Sequence, residues 1–115
     1  MPKTGFFKNA ELPLETLEAG KVSRKIRAYA EPLMAVEVFM EEGAEGYEHT
    51  HPHTQICYCL EGEFLFSLNG QAETITAGDS VFIPGGVKHG AKCLKKGRVL
   101  DVFTPEREDF LQINA

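Results

Sequence analysis

The sequence predicts an all-β domain closed into a small barrel or sandwich, and three observations carry that expectation. Short alternating or wholly apolar runs recur along the 115 residues, turn residues separate them at close intervals, and Asn69-Gly70 sits between two such runs as a hairpin signal.

Taken in order, residues 1–20 show only a weak pattern and read as an arm or strand, at a dimer interface if the chain pairs. Val22–Ala30 and Leu33–Met40 are separated by Glu31-Pro32. Further runs follow at 55–60, 63–68, 72–76, Ser80–Ile83, 91–94 and 98–103. Turns are expected at 43–46, Glu61-Gly62, Asn69-Gly70, 77–79, 84–86 and Lys96-Gly97. Asn-Gly is favoured at such a place because both central residues of a type I′ turn need positive φ. The barrel is placed at 21–105 and a C-terminal tail at 106–115, ending in a short turn of helix. No repeat, linker or low-complexity segment suggests a second domain.

Composition narrows the function classes. With 43% hydrophobic and 25% charged residues the chain can fold around one core and is not a disordered segment. No apolar run is long enough for a spanning helix, and no signal-peptide pattern opens the sequence, so a cytoplasmic location is expected. A net charge of −5 argues against nucleic acid or an anionic membrane as partner. Three cysteines without a CxxC spacing read as reduced residues rather than a disulfide framework.

Chemistry concentrates in two glycine-bounded stretches. The first runs from Gly46 through His49, His51, His53 and Gln55 to Gly62, and the second from Gly78 through Pro84 and Gly86 to His89. Residues two apart on a strand share a face, so His49 and His51 can converge on one ion, with Gln55 in the same phase. His89 would come from another strand, redirected by the Pro84-Gly85-Gly86 turn. Imidazole suits Zn, Cu, Fe and Ni, and an amide oxygen adds a neutral donor. The plainer alternative is a solvated turn that binds metal only adventitiously.

Parity extends the pocket. If Gln55 faces inward, Cys57 and Cys59 do too, while Ile56, Tyr58 and Leu60 face another layer or subunit. Cys57 is then either a thiolate near the metal or a small buried hydrophobe, and Cys93 has no special context. Asp101, among Val99, Leu100, Val102 and Phe103, is either on a solvated face or turned into the pocket as a proton-transfer group.

These motifs resemble the paired signatures of the cupin superfamily, whose second motif matches at Gly78, Pro84, Gly86 and His89. The first departs from the commonest form by carrying Gln55 where many cupins have Glu. The resemblance implies a single-domain double-stranded β-helix, or jelly-roll barrel, with His49, His51, Gln55 and His89 as metal ligands and His53 outside the set. From about Val22 to Leu111, and especially over Asp101-Val102-Phe103-Thr104-Pro105-Glu106-Arg107, the chain is similar to the pectin-degradation cupins that linearise 4,5-unsaturated uronates released from pectin or alginate. That similarity implies catalytic roles for Asp101, Phe103 and Arg107, an isomerase-type activity on a sugar acid, one divalent transition metal (Zn, Ni, Fe, Mn or Co) and a homodimer. A cation should meet the uronate carboxylate. Arg24, in phase with Val22 and Ile26, is the candidate, with an exposed strand-edge charge as the alternative. Two other functions stay open: an Fe-dependent dioxygenase, against which the lack of an obvious carboxylate ligand counts, and a non-catalytic ligand-binding or sensor protein.

Overall fold

A computed structural model of the chain describes residues 5–112; residues 1–4 and 113–115 of the expected arm and tail lie outside them. Its strands are β1 (Glu15–Leu17), β2 (Val22–Ala30), β3 (Leu33–Met40), β4 (Glu45–His49), β5 (Thr54–Leu68), β6 (Gln71–Thr76), β7 (Ser80–Ile83) and β8 (His89–Thr104). One short helix, α1 (Glu108–Gln112), follows β8. All strand pairs are antiparallel, with the order β1-β2-β3-β8-β5-β6, β4 added to β8 and β7 to β5.

Two long strands organise the barrel. The first part of β5 pairs with the last part of β8, from Thr54↔Thr104 to Cys59↔Val99, and this half also carries β3 and β7. Beyond a shift in register, Phe64↔Cys93 to Leu68↔His89 continues the same ribbon, now flanked by β6 and β4. Glu61-Gly62 and Lys96-Gly97 were expected to be turns, and here the structure differs: they are the bend at which both strands change sheets together. Gly62 has φ +91°, and a Cβ on it would lie 2.7 Å from the Gly97 Cα. A Cβ on Gly97 would lie 2.0 Å from the Glu61 carbonyl oxygen. The backbones cross too closely for side chains on either glycine. Asn69-Gly70 does form the expected turn, with φ of 50° and 85°.

The sheets close over one main cluster that includes Met40, Cys57, Cys59, Phe64, Phe66, Ile75, Ile83, Cys93 and Val99. A second cluster of Met34, Val36 and Phe103 sits under β2 and β3, and Phe110 and Leu111 of α1 pack on it. Fully burying a side chain of this size is worth roughly 1.5–3 kcal/mol; Phe110 and Leu111 are partly buried and gain a share of that, which helps to hold so short a helix in place. The alternation along β5 is as its sequence implies: Gln55, Cys57 and Cys59 are buried, while Ile56 and Tyr58 remain 45% and 42% exposed. Every residue of β4 is exposed, so this edge strand leaves no apolar pattern from which to recognise it.

Candidate metal centre

Three elements bring the histidines together. His49 ends β4 and lies directly across from His89, the first residue of β8. His51 comes from the loop beyond β4, so strand parity is not what turns it toward His49; the Thr50–His53 loop does. Ligand-capable atoms of His49, His51 and His89 all lie within 4.8 Å of one another. His51 and His89 are buried and His49 is exposed at the mouth. Among the described residues, this three-histidine group is the cluster able to hold a metal ion, and no cysteine joins it.

The backbone orients each ring. The His49 Nδ1 is 2.8 Å from the Tyr47 carbonyl, the His51 Nδ1 3.1 Å from that of His53, and the His89 Nδ1 3.0 Å from that of Val87. A carbonyl can only accept, so each Nδ1 carries the proton and each Nε2 keeps a bare lone pair, the arrangement a metal-binding imidazole needs. Burial lowers the pKa of His51, with Arg107 and His89 acting in the same direction. It lowers that of His89 against the hydrogen bond that His89 donates to the Val87 carbonyl. Both rings are therefore held neutral. Phe103 packs edge-on to His51 at 5.7 Å, and Phe66 stacks parallel to His89 at 6.4 Å.

Gln55 tests whether the donor set suits a cation. Its Nε2 donates to Asp101 Oδ1 at 2.8 Å, which leaves Oε1 facing His51 Nε2 at 3.0 Å. With the His51 proton committed to Nδ1, two acceptors confront each other in a buried place. That repulsion is relieved by a positive ion between the lone pairs, so the residues fit a metal.

Asp101 lies on β8 between Val36 and Cys57 and faces the same cavity. Burial pushes its carboxyl up, to about 6, against hydrogen bonds from Cys57 and Gln55 and the charges of Arg107 and His49. Burial, reinforced by the Asp101 charge, keeps Cys57 a protonated thiol, which speaks against its alternative as a thiolate ligand. Phe103 is buried next to His51, and Arg107 lines the cavity with its Nε and Nη2 held by the Asp109 carboxylate at 3.0 and 2.7 Å. Arg24 does reach the inner face of β2, but it is not on the cavity wall. His53 lies beside the cluster, in ring contact with His51 and outside the three-histidine group.

The cavity has a volume of about 180 Å³, with Val38, Met40, Phe64, Phe66 and Val99 as its apolar floor. Phe110 completes one wall. That residue was missed in the sequence; its only signal was the Phe110-Leu111 pair standing out from the acidic Glu108-Asp109 before it.

Known proteins share this fold. A crystal structure of an RmlC-like cupin from Shewanella frigidimarina is 39% identical, with a TM-score of 0.89, covering 95% of this chain and 97% of that one. KdgF from Halomonas sp. is 36% identical, with a TM-score of 0.88, covering 94% and 99%. The polyketide cyclase RemF from Streptomyces resistomycificus, at 21% identity and a TM-score of 0.77 over 91% of this chain and 82% of its own, shares the fold. No curated protein gives a significant match. No helix among the described residues is long and apolar enough to cross a membrane. The cupin domain profile matches residues 36–103, the span that contains both motifs, the three histidines and the bent ribbon joining them, and the chain therefore belongs to the cupin domain family.

Proposed function

We propose that this chain is a metal-dependent enzyme acting on a small sugar acid, opening and ketonising the ring of a 4,5-unsaturated uronate. One observation carries the reading: the Asp101 carboxylate shares a cavity with the three-histidine cluster and is joined to it through the Gln55 amide. The resemblance of the Asp101–Arg107 run to the pectin-degradation cupins supports it, as does the full-length similarity to KdgF. At about 180 Å³ the cavity falls below the usual range for drug-sized ligands and suits a single sugar ring.

A divalent transition metal held by His49, His51, His89 and Gln55, all neutral donors, would supply a positive charge that its ligands do not cancel. The chain's own residues manage the protons. Loss of the anomeric O–H proton lets the C1 carbonyl form as the C1–O5 bond breaks. The electron pair passes to O5 and spreads as an enolate over C5 and C4, and a proton added at C4 leaves a linear 5-keto acid. One proton departs and one arrives, so no water is consumed and Asp101 alone can serve both steps. Phe103 flanks the sugar, and Arg107 meets its carboxylate.

The test is the loss of ultraviolet absorbance of an unsaturated galacturonate with metal-loaded and chelated protein. Turnover that requires metal is expected, with metal content falling in His51→Ala and His89→Ala. An inactive parent would replace this reading with ligand binding or oxygen chemistry. A second copy of the chain is also proposed to cover the outer face, where Ile56, Tyr58 and Phe82 are 45%, 42% and 59% exposed. Light scattering of Tyr58→Glu should then show a shift toward monomer.

A further inference from the structure

Arg24 projects from β2 onto the inner face, opposite Val38, and is only 7% exposed. Its Nε reaches Glu15 at 3.2 Å, while Nη2 has no hydrogen-bond partner among the described residues. An unmet buried N–H disfavours the fold, so something must offset it. The contact present is aromatic: the Arg24 guanidinium lies 3.8 Å from the centroid of the Phe110 ring.

The same ring is a junction. Arg107 lies 4.3 Å from its centroid, and Phe103 meets it edge-on at 5.8 Å. Phe110 and Arg107 both line the cavity, whereas Arg24 reaches the ring without joining that wall. Five residues of helix cannot fix their own orientation. Besides the packing of Phe110 and Leu111 on the second core cluster, two polar contacts tie the helix down. The forked bond from Arg107 to Asp109 ties α1 to the chain leaving β8, and the Arg24–Phe110 contact ties it to β2. The direction in which Arg107 presents its guanidinium thus depends on a ring pinned by a residue that never reaches the cavity.

We propose that Arg24 is a positioning residue for carboxylate recognition: it pins Phe110 and through it sets Arg107, without touching the ligand. This role rests on the sugar-acid reading above, with Arg107 as the cation that meets the acid group. A contact of this kind corresponds to roughly fivefold in affinity.

The experiment measures calorimetric binding of galacturonate and of its neutral counterpart galactose to metal-loaded parent, Arg24→Met, Arg24→Lys, Phe110→Leu and the Arg24→Met/Phe110→Leu double variant. Thermal melting and metal content are recorded for each. The parent should prefer the acid. Arg24→Met should lose about fivefold of that preference with galactose binding and metal content unchanged, and Arg24→Lys, which keeps the charge but not the flat guanidinium, should fall between. In the Phe110→Leu background Arg24→Met should change the preference no further. Lowered melting with the preference intact would make Arg24 merely structural and overturn the proposal, as would additive losses in the double variant. If Arg24→Met does not fold, an undiminished preference in Arg24→Lys overturns it instead. A parent without preference for the acid removes the sugar-acid reading and this role together; a parent that prefers the acid, with variants that keep the preference, removes this role alone.

Discussion

Glu37 and Asp101 are carboxylates on paired strands, one register step apart and on opposite faces of the same sheet. Glu37, 3% exposed on the outer side, is bonded by Arg27, with Nε at 2.7 Å and Nη2 closing the fork, and by Arg98 Nη1 at 2.7 Å. Burial alone would raise its pKa, but the hydrogen bonds and charges of two arginines outweigh it and hold the carboxyl below its ordinary range. On the inner side, Asp101 is bonded by an amide and a thiol, and burial prevails. Burial does not decide whether a carboxylate is structural or chemical; the charge of its donors does.

Asp101→Asn should break the comparison most. It preserves size while removing the group that moves the proton, so turnover should fall by ~10²–10⁴-fold with melting temperature and metal content unchanged. Parental turnover in the variant would show that Asp101 is not the proton carrier. Glu37→Gln should do the opposite, leaving activity per folded molecule intact and costing about 2 kcal/mol of stability, as both arginines lose the negative charge and one of them faces an amide N–H in place of a carboxylate oxygen. Denaturant melts check this, and an unchanged midpoint would show that the outer network contributes nothing.

Gln55→Glu places a charge where Asp101 now has a neutral donor. Metal affinity should hold or rise while activity per bound metal falls several-fold, roughly the cost of offsetting part of the ion's field. Equal or faster turnover per metal would sink that charge argument. The smallest effect concerns acid. Because the folded pKa of Glu37 is depressed, its stabilisation is present above the unfolded value near 4.5 and is lost as pH falls through the folded one. Between pH 6 and about 3.5 the parent should therefore lose more stability than Glu37→Gln does, and parallel curves would contradict the depressed pKa.

Much of this could be read from the chain alone, for identifiable reasons. β2, β3 and β7 have the bounds that their runs suggest, because turn residues mark where each one stops. The histidines were legible because spacing between glycines survives folding as proximity. β4 was not, since an exposed edge strand has no apolar face to display. Gly62 and Gly97 carried a turn signal that the fold spends on a crossing, a distinction that depends on what lies opposite and not on the residues themselves. The arrangement of Arg24, Phe110 and Arg107 was beyond reach for a similar reason: it arises only once α1 folds back over the second core cluster.

The crossing of Gly62 and Gly97 also sets a length. His89 begins β8 on one side of it, while Asp101 on the same strand and Gln55 on β5 stand on the other. The separation between the histidine cluster and the proton carrier is thus measured out along a strand with a joint in the middle, and the angle of that joint determines it. Loops other than Thr50–His53, which carries His51, can change length without altering this span. A single methyl group at position 97, set against a carbonyl oxygen 2.0 Å away, could not be added without changing it.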